Sequence, residues 1–231
     1  MALKTRSLKV QDIEVKDATQ RTITVVGGKG TGKTTLIKMF LDQEYSVLVL
    51  DPLNVIKGKG IDAYRIPIRK EDNEKKLENI TKLTNKLLQS KKNVVLYFNE
   101  MLKDEMVEKV DYIFPRLNFR DGYVFIDEIH EFTPHFSGSQ EVHRAIRHWR
   151  NKNIGFVMST QRPASVDTNV IGMTDYLILF RITWKNDIEA VKEILKHQVS
   201  SKEEMDKILR NVQTHGFMEG YVVDFMGMTK N

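Results

Sequence analysis

Gly27-Gly28-Lys29-Gly30-Thr31-Gly32-Lys33-Thr34 has the residue types and spacing of a phosphate-binding loop. Its glycines permit backbone conformations that turn successive N–H groups inward around phosphate oxygens. A helix beginning at Lys33 would point its positive end at the same target. Lys33 would reach the β- and γ-phosphates as a point charge. Thr34 would offer its hydroxyl to Mg²⁺, and Thr35 completes the cofactor-binding set. The implied chemistry is the binding of ATP with magnesium.

Such a loop needs an acidic partner near the end of a neighbouring strand. Tyr123-Val124-Phe125-Ile126-Asp127-Glu128 supplies an apolar strand ending in two carboxylates. Asp127 would hold Mg²⁺ through its water shell, and Glu128 would polarise the attacking water as general base. Adjacent residues of a strand point to opposite sides, so the two acids need not compete for one place. Ser159-Thr160-Gln161-Arg162-Pro163 closes another strand. With the loop strand central, the Gln161 amide would sit beside the γ-phosphate, where it could bond the water or sense phosphate loss. A carboxylate poised on water favours hydrolysis over transfer to a small molecule, the kinase alternative.

The elements that must position these groups are legible as alternating strands and helices, which argues for a mainly parallel sheet covered on both faces. Strand-like runs cover Thr22 to Val26, Ser46 to Leu50, Asn93 to Phe98, Tyr123 to Ile126, Ile154 to Ser159 and Asp175 to Ile182, with a terminal strand around Tyr221 to Phe225. Helical patterns cover Lys33 to Leu41, the stripe Leu77, Ile80, Thr84, Leu87 and Leu88, and Met101 to Phe114 before Pro115. Polar helices follow at about 186–196 and 201–211. Segments 52–62, 131–140 and 161–174 read as loops. The expectation is an α/β, RecA-like P-loop NTPase core forming a single domain over 1–231. An N-terminal extension occupies about 1–20, and C-terminal helices with a terminal strand occupy about 185–231.

Bulk properties narrow the classes. The 231 residues are 41% hydrophobic and 29% charged, enough for a core and for solubility. No apolar run is long enough to cross a bilayer, so no transmembrane segment is expected. The start of the chain lacks the apolar stretch of a signal peptide. The absence of cysteine excludes disulfides and thiolate metal sites and, with the missing signal, leads to a cytoplasmic expectation. The net charge of +5 is matched by the excess within residues 1–40. Arg144, Arg147, Arg150, Lys152 and Arg162 form a second basic run, with no acid between Val142 and Val166.

Taken together, Gly27–Thr34, Asp51-Pro52, Ile126-Asp127-Glu128 and Ser159-Thr160-Gln161-Arg162-Pro163 resemble the FtsK–HerA superfamily of ring-forming, DNA-pumping ATPases. The resemblance runs from about residue 20 to 185. Ile146-Arg147-His148-Trp149-Arg150-Asn151-Lys152-Asn153-Ile154-Gly155 looks like that superfamily's arginine-bearing helix leading into the glutamine strand. Within it, the chain is similar to compact viral genome-packaging ATPases of archaeal icosahedral viruses. The region Asp127-Glu128-Ile129-His130-Glu131-Phe132 with His143-Arg144 is also similar to Zot-like phage morphogenesis ATPases. The resemblance implies a hexameric ring acting on double-stranded DNA without reading its sequence. It also implies capsid or virion inner-membrane proteins as partners, and the host cytoplasm or the virion as the place of work. A nucleotide-dependent switch that moves no DNA is the competing class.

At about 100° per residue, Val142, Ala145, Ile146 and Trp149 share one face of a helix. His143, Arg144, Arg147, Arg150 and Asn151 share the other. The residues alone leave that basic face three roles: solvated surface, DNA channel lining, or reach to a neighbour's nucleotide. The superfamily comparison favours the last, since an arginine delivered in trans stabilises charge on the transferring phosphoryl group. Arg150 is the first candidate and Arg147 the second. Lys57 and Lys59, beside Gly58 and Gly60, could form a DNA-facing loop or a plain surface turn.

Overall fold

The computed structural model describes residues 4–9, 20–41, 45–58, 60–134, 138–196, 199, 201–214 and 219–224. Its strands are β1 (Lys4–Lys9), β2 (Thr22–Val26), β3 (Ser46–Asp51), β4 (Tyr64–Arg69), β5 (Val94–Asn99), β6 (Gly122–Ile126), β7 (Ile154–Thr160), β8 (Tyr176–Leu179) and β9 (Glu219–Asp224). Its α-helices are α1 (Lys33–Leu41), α2 (Glu74–Gln89), α3 (Lys103–Ile113), α4 (Gln140–His148), α5 (Thr168–Gly172), α6 (Lys185–Lys196) and α7 (Lys202–Thr214). One nine-stranded sheet runs in the order β1-β9-β8-β2-β7-β6-β3-β5-β4. Neighbours from β8 across to β4 are parallel, whereas β9 is antiparallel to both β8 and β1.

The central strands are apolar without alternation because helices cover both faces. Successive side chains go to opposite sides. Leu48, Leu50, Leu96, Val124, Ile126, Phe156 and Met158 pack against the apolar stripes of α2, α3 and α4. On the other face, Val47, Val49, Val95, Tyr123, Phe125 and Val157 meet Leu36, Ile37 and Leu41 of α1. Leu177, Leu179 and Val223 support α6 and α7 through Val191, Leu195, Ile208, Leu209 and Val212.

Local chemistry fixes the ends of several helices. Asn73 caps α2 by accepting from Lys76 N at 3.0 Å, and Ser139 caps α4 by accepting from Val142 N at 3.0 Å. The Ser139 hydroxyl also donates to Asp111 of α3, which ties the two helices together.

Two edge strands depart from the sequence expectation. β4 was hidden by Pro67, a residue tolerated at a sheet edge, and only Ile66 and Ile68 of its six residues are buried. β1 is the polar stretch KTRSLK, which pairs with β9 in the region expected to be an extension. The expected loop 161–174 contains a 3₁₀ turn over Pro163–Ser165 and the short α5. Phe225, Lys59 and residues 135–137, parts of other expectations, lie outside the described residues.

Candidate active site

The phosphate-binding loop joins the carboxyl end of β2 to the start of α1. Gly30 and Gly32 have φ of +74° and +117°, conformations that ordinary side chains resist. Gly27 has a different reason to be glycine: a Cβ there would lie 2.6 Å from Phe180 Cβ and 2.8 Å from Thr31 Oγ1. The first two amides fasten the loop. Gly27 N donates to Thr160 O at 3.1 Å, and Gly28 N donates to Arg181 O at 3.0 Å. The amides left to meet a phosphate would be the later ones and the N–H groups leading into α1, which have no partner within a helix.

Lys33 is buried, and its ammonium donates to Gly27 O at 2.7 Å and Gly28 O at 2.9 Å. Burial lowers its pKa, opposed by the charges of Glu128 and Asp127. That electrostatic contact puts both carboxylates beside the loop. Thr34 is exposed at the first turn of α1, Thr35 is half-buried, and Lys29 stands exposed at the loop tip.

The acidic pair is reached differently from the sequence expectation. β6 is not next to β2; β7 lies between them. The strand also stops at Ile126, and Glu128 turns in the left-handed region with φ 45°. A turn therefore separates the two acids, not the strand's pleat. Asp127 Oδ1 accepts from the Ser159 hydroxyl at 2.5 Å. Its pKa is raised chiefly by burial, with Asp51 adding to the rise and Ser159 and Lys33 opposing it. Glu128 is raised chiefly by burial and also by Asp127, with Gln161 N–H and Lys33 opposing. A raised carboxylate is the stronger base near neutral pH.

Thr160 is in register with Val26, so Gln161 follows β7 alongside the loop. Its backbone N donates to Glu128 Oε2 at 3.1 Å, joining the two strand ends. With Arg162 and the exposed Trp184 it borders a cleft of about 530 Å³. Asp51 is occupied locally, accepting from Val55 N at 3.0 Å and Ile56 N at 2.7 Å to shape the loop after β3.

The arginines separate. Val142, Ala145, Ile146 and Trp149 are buried, so the expected helix face is present. The helix ends at His148, however, and Trp149–Lys152 form a 3₁₀ turn. Arg150 therefore leaves the face that Arg147 occupies. Its guanidinium donates to Asp175 Oδ2 at 3.2 Å, and that oxygen also accepts from Thr22 N at 2.8 Å. Thr22 begins β2, so Arg150 stands at the opposite end of the strand from the loop of its own chain. Arg147 is exposed and borders a polar hollow of about 410 Å³ with His143, Arg144, His148 and Asp167.

Sequence reasoning missed Ser159, Thr160 and His130 as supports of the carboxylates. His130 Nδ1 lies 3.0 Å from Thr160 Oγ1 and 3.3 Å from Glu128 Oε2, and Nε2 lies 3.1 Å from Glu131 Oε1. The step along β7 from apolar Phe156-Val157-Met158 to polar Ser159 and Thr160 was a usable signal. Nothing in the residue order pointed to His130.

Residues 16–165 match the family model described as AAA domain. The chain belongs to the AAA domain family. No curated protein matches it by sequence. The AAA domain is similar in fold to the genome packaging NTPase B204 from Sulfolobus turreted icosahedral virus 2 in complex with sulfate. That match has 18% identity, a TM-score of 0.60, and covers 90% of this chain and 93% of that one. VirB4 of Thermoanaerobacter pseudethanolicus is similar at 11% identity and a TM-score of 0.63, covering 88% and 86%. The bacterial conjugative coupling protein TrwBΔN70 follows at 10% identity and a TM-score of 0.62, covering 90% and 83%. B204 has also been crystallised with AMPPCP and with ATP-γS. These neighbours share the fold of this chain.

The residues of this AAA domain fit a magnesium nucleotide. The glycine conformations, the buried Lys33 and the hard-oxygen donors Thr34 and Asp127 suit a phosphate chain with Mg²⁺. Among the described residues no group of three or more His, Cys, Asp or Glu could hold a metal by itself.

Proposed function

We propose that this AAA domain is an ATP-driven DNA translocase of the genome-packaging kind. It works as a homo-oligomeric, hexameric ring that hydrolyses ATP at subunit interfaces and moves double-stranded DNA without sequence specificity. The observation that carries the reading is the convergence of Lys33, Asp127, Glu128 and Gln161 at the ends of β2, β6 and β7. A base beside a cation serves hydrolysis. The similarity in fold to a DNA-packaging ATPase of a virus and to a bacterial conjugative coupling protein supports DNA as the cargo.

Thr34 and Asp127 would hold Mg²⁺ together with the phosphates, where the ion would neutralise charge on the phosphoryl oxygens. Lys33 places a fixed positive charge beside the same phosphates. Glu128 accepts a proton from the attacking water, and its raised pKa suits it to that task. Gln161 is held by Glu128 through its backbone, which leaves its side-chain amide to orient the water or register the departure of phosphate. Arg147 and Arg150 are the candidates for reaching a neighbouring subunit's nucleotide. Arg147 is the freer of the two, because Arg150 is engaged with Asp175. Capsid or virion inner-membrane proteins are the expected anchors of the ring, in the host cytoplasm or the virion. No helix among the described residues is long and apolar enough to cross a membrane.

The test of the cargo is binding of unrelated duplexes across a salt series. Contacts to phosphate release counterions, so affinity should fall steeply with salt and differ little between sequences. A flat salt response, or strong preference for one duplex, would remove DNA transport and favour a regulator.

A further inference from the structure

His130 is buried in the turn after β6, and the role of Glu128 does not explain its hydrogen bonds. The donor and acceptor roles in those bonds depend on which of its nitrogens carries the proton. Thr160 Oγ1 accepts from Arg162 N at 2.9 Å, so the hydroxyl proton is free to point at Nδ1, 3.0 Å away. Nε2 then carries the hydrogen and donates to Glu131 Oε1 at 3.1 Å. Glu131 is itself paired with Lys103 at 3.4 Å, at the start of α3. In this arrangement the Nδ1 lone pair is taken up by Thr160, so Nδ1 gives Glu128 Oε2, 3.3 Å away, no hydrogen bond.

The opposite tautomer would act on the base directly. An Nδ1–H would donate to Glu128, and a hydrogen bond to the charged carboxylate makes it a weaker acceptor for the proton of water. It would also hold the oxygen against the ring. In a histidine, the bond made by one nitrogen decides the state of the other.

We infer that His130 is a positioning residue for Glu128. Glu131 and Thr160 fix its Nε2–H tautomer, and the clamped ring bounds the place of the Glu128 carboxylate without quenching its basicity. The ring stays neutral through the working range because burial lowers its pKa to about 4; Glu131 opposes the shift, and Lys103 and Arg162 add to it. The groups facing it are therefore Glu128 and Glu131 from its own turn, Lys103 from α3 and Arg162 from beyond β7. The inference rests on the assignment of Glu128 as general base.

The experiment compares full-length Thr160→Val, Glu131→Gln and His130→Asn with wild type, each first shown to be folded by its melting curve. Thr160→Val keeps the shape of β7 and removes only the hydroxyl. Glu131→Gln can donate to Nε2 and so favours the wrong tautomer, which imidazole nitrogen NMR would reveal as a proton on Nδ1. Misplacing or quenching a base costs about 10- to 100-fold in rate, so kcat should fall by that amount with KM and affinity for ATP unchanged. His130→Asn, whose amide can still accept from Thr160, should fall less than His130→Phe. In a Glu128→Gln background the same changes should have no further effect on single-turnover hydrolysis, because they act through Glu128. Unchanged kcat in the folded variants, or an equal further fall without Glu128, overturns the inference. Normal turnover by Glu128→Gln alone removes the base assignment instead, so the two failures are distinguishable.

Discussion

At the scale of single residues, Lys33 and Glu128 divide binding from chemistry. Lys33→Ala removes a charge-assisted contact to phosphate and should weaken ATP affinity by about 10- to 100-fold. Glu128→Gln keeps the shape but cannot take the proton, so it should bind ATP normally and lose about 10²- to 10⁴-fold in turnover. Calorimetry with nucleotide and a phosphate-release assay on both variants check this pair, and normal turnover by Glu128→Gln would falsify its role. His130 adds a pH effect. The folded ring takes a proton only near pH 4, whereas an unperturbed imidazole does so near 6.5. Between those values the unfolded chain binds the extra proton, so its neutral form stabilises the fold above 6.5 and that stability is lost as pH falls towards 4. Compared with His130→Asn, the wild type should lose on the order of 1–3 kcal/mol across that window by chemical denaturation at each pH.

At the scale of elements, α4 and the turn after it join the core to the arginines. Trp149 stacks on Phe114 at 5.4 Å and meets Phe119 and Phe156 at 6.1 and 6.0 Å. Trp149→Ala should cost about 3–5 kcal/mol in urea unfolding, as large aromatic deletions do. Arg150→Ala removes only a half-exposed partner of Asp175, so its effect on stability should stay below about 1 kcal/mol. The buried half of α4 was legible because its spacing follows the helical period. Arg150 was misjudged because that period was carried past His148 into a tighter turn. The parallel core, the glycine loop leading to Lys33 at the start of α1, and the strand ends before Glu128 and Gln161 were legible, since buried strands are unbroken apolar runs ended by polar residues. β1 and β4 were not: an edge strand satisfies half its backbone with solvent, so it can be polar or carry Pro67. The insertion of β7 between β2 and β6 is a long-range pairing, and no local pattern records it. The same holds for the meeting of His130 with Thr160.

At the scale of the whole molecule, the account requires copies of the chain to complete one another's sites. If an arginine acts in trans, Arg147→Ala or Arg150→Ala subunits should bind ATP and hydrolyse it poorly. Mixing either with Lys33→Ala subunits should restore part of the activity, because some interfaces then pair an intact loop with an intact arginine. Rings that stay inactive at every ratio would argue against that arginine. The exposure of Arg147 beside a polar hollow, against the Asp175 pair of Arg150, makes Arg147 the variant expected to be rescued. The central claim, that this site spends ATP on moving DNA, is tested most directly by phosphate release with and without duplex DNA, with the assembly state measured alongside. Turnover should rise with any duplex, whatever its sequence, and Glu128→Gln should abolish both the basal and the stimulated rates. Turnover indifferent to duplex DNA in an assembled ring would contradict it.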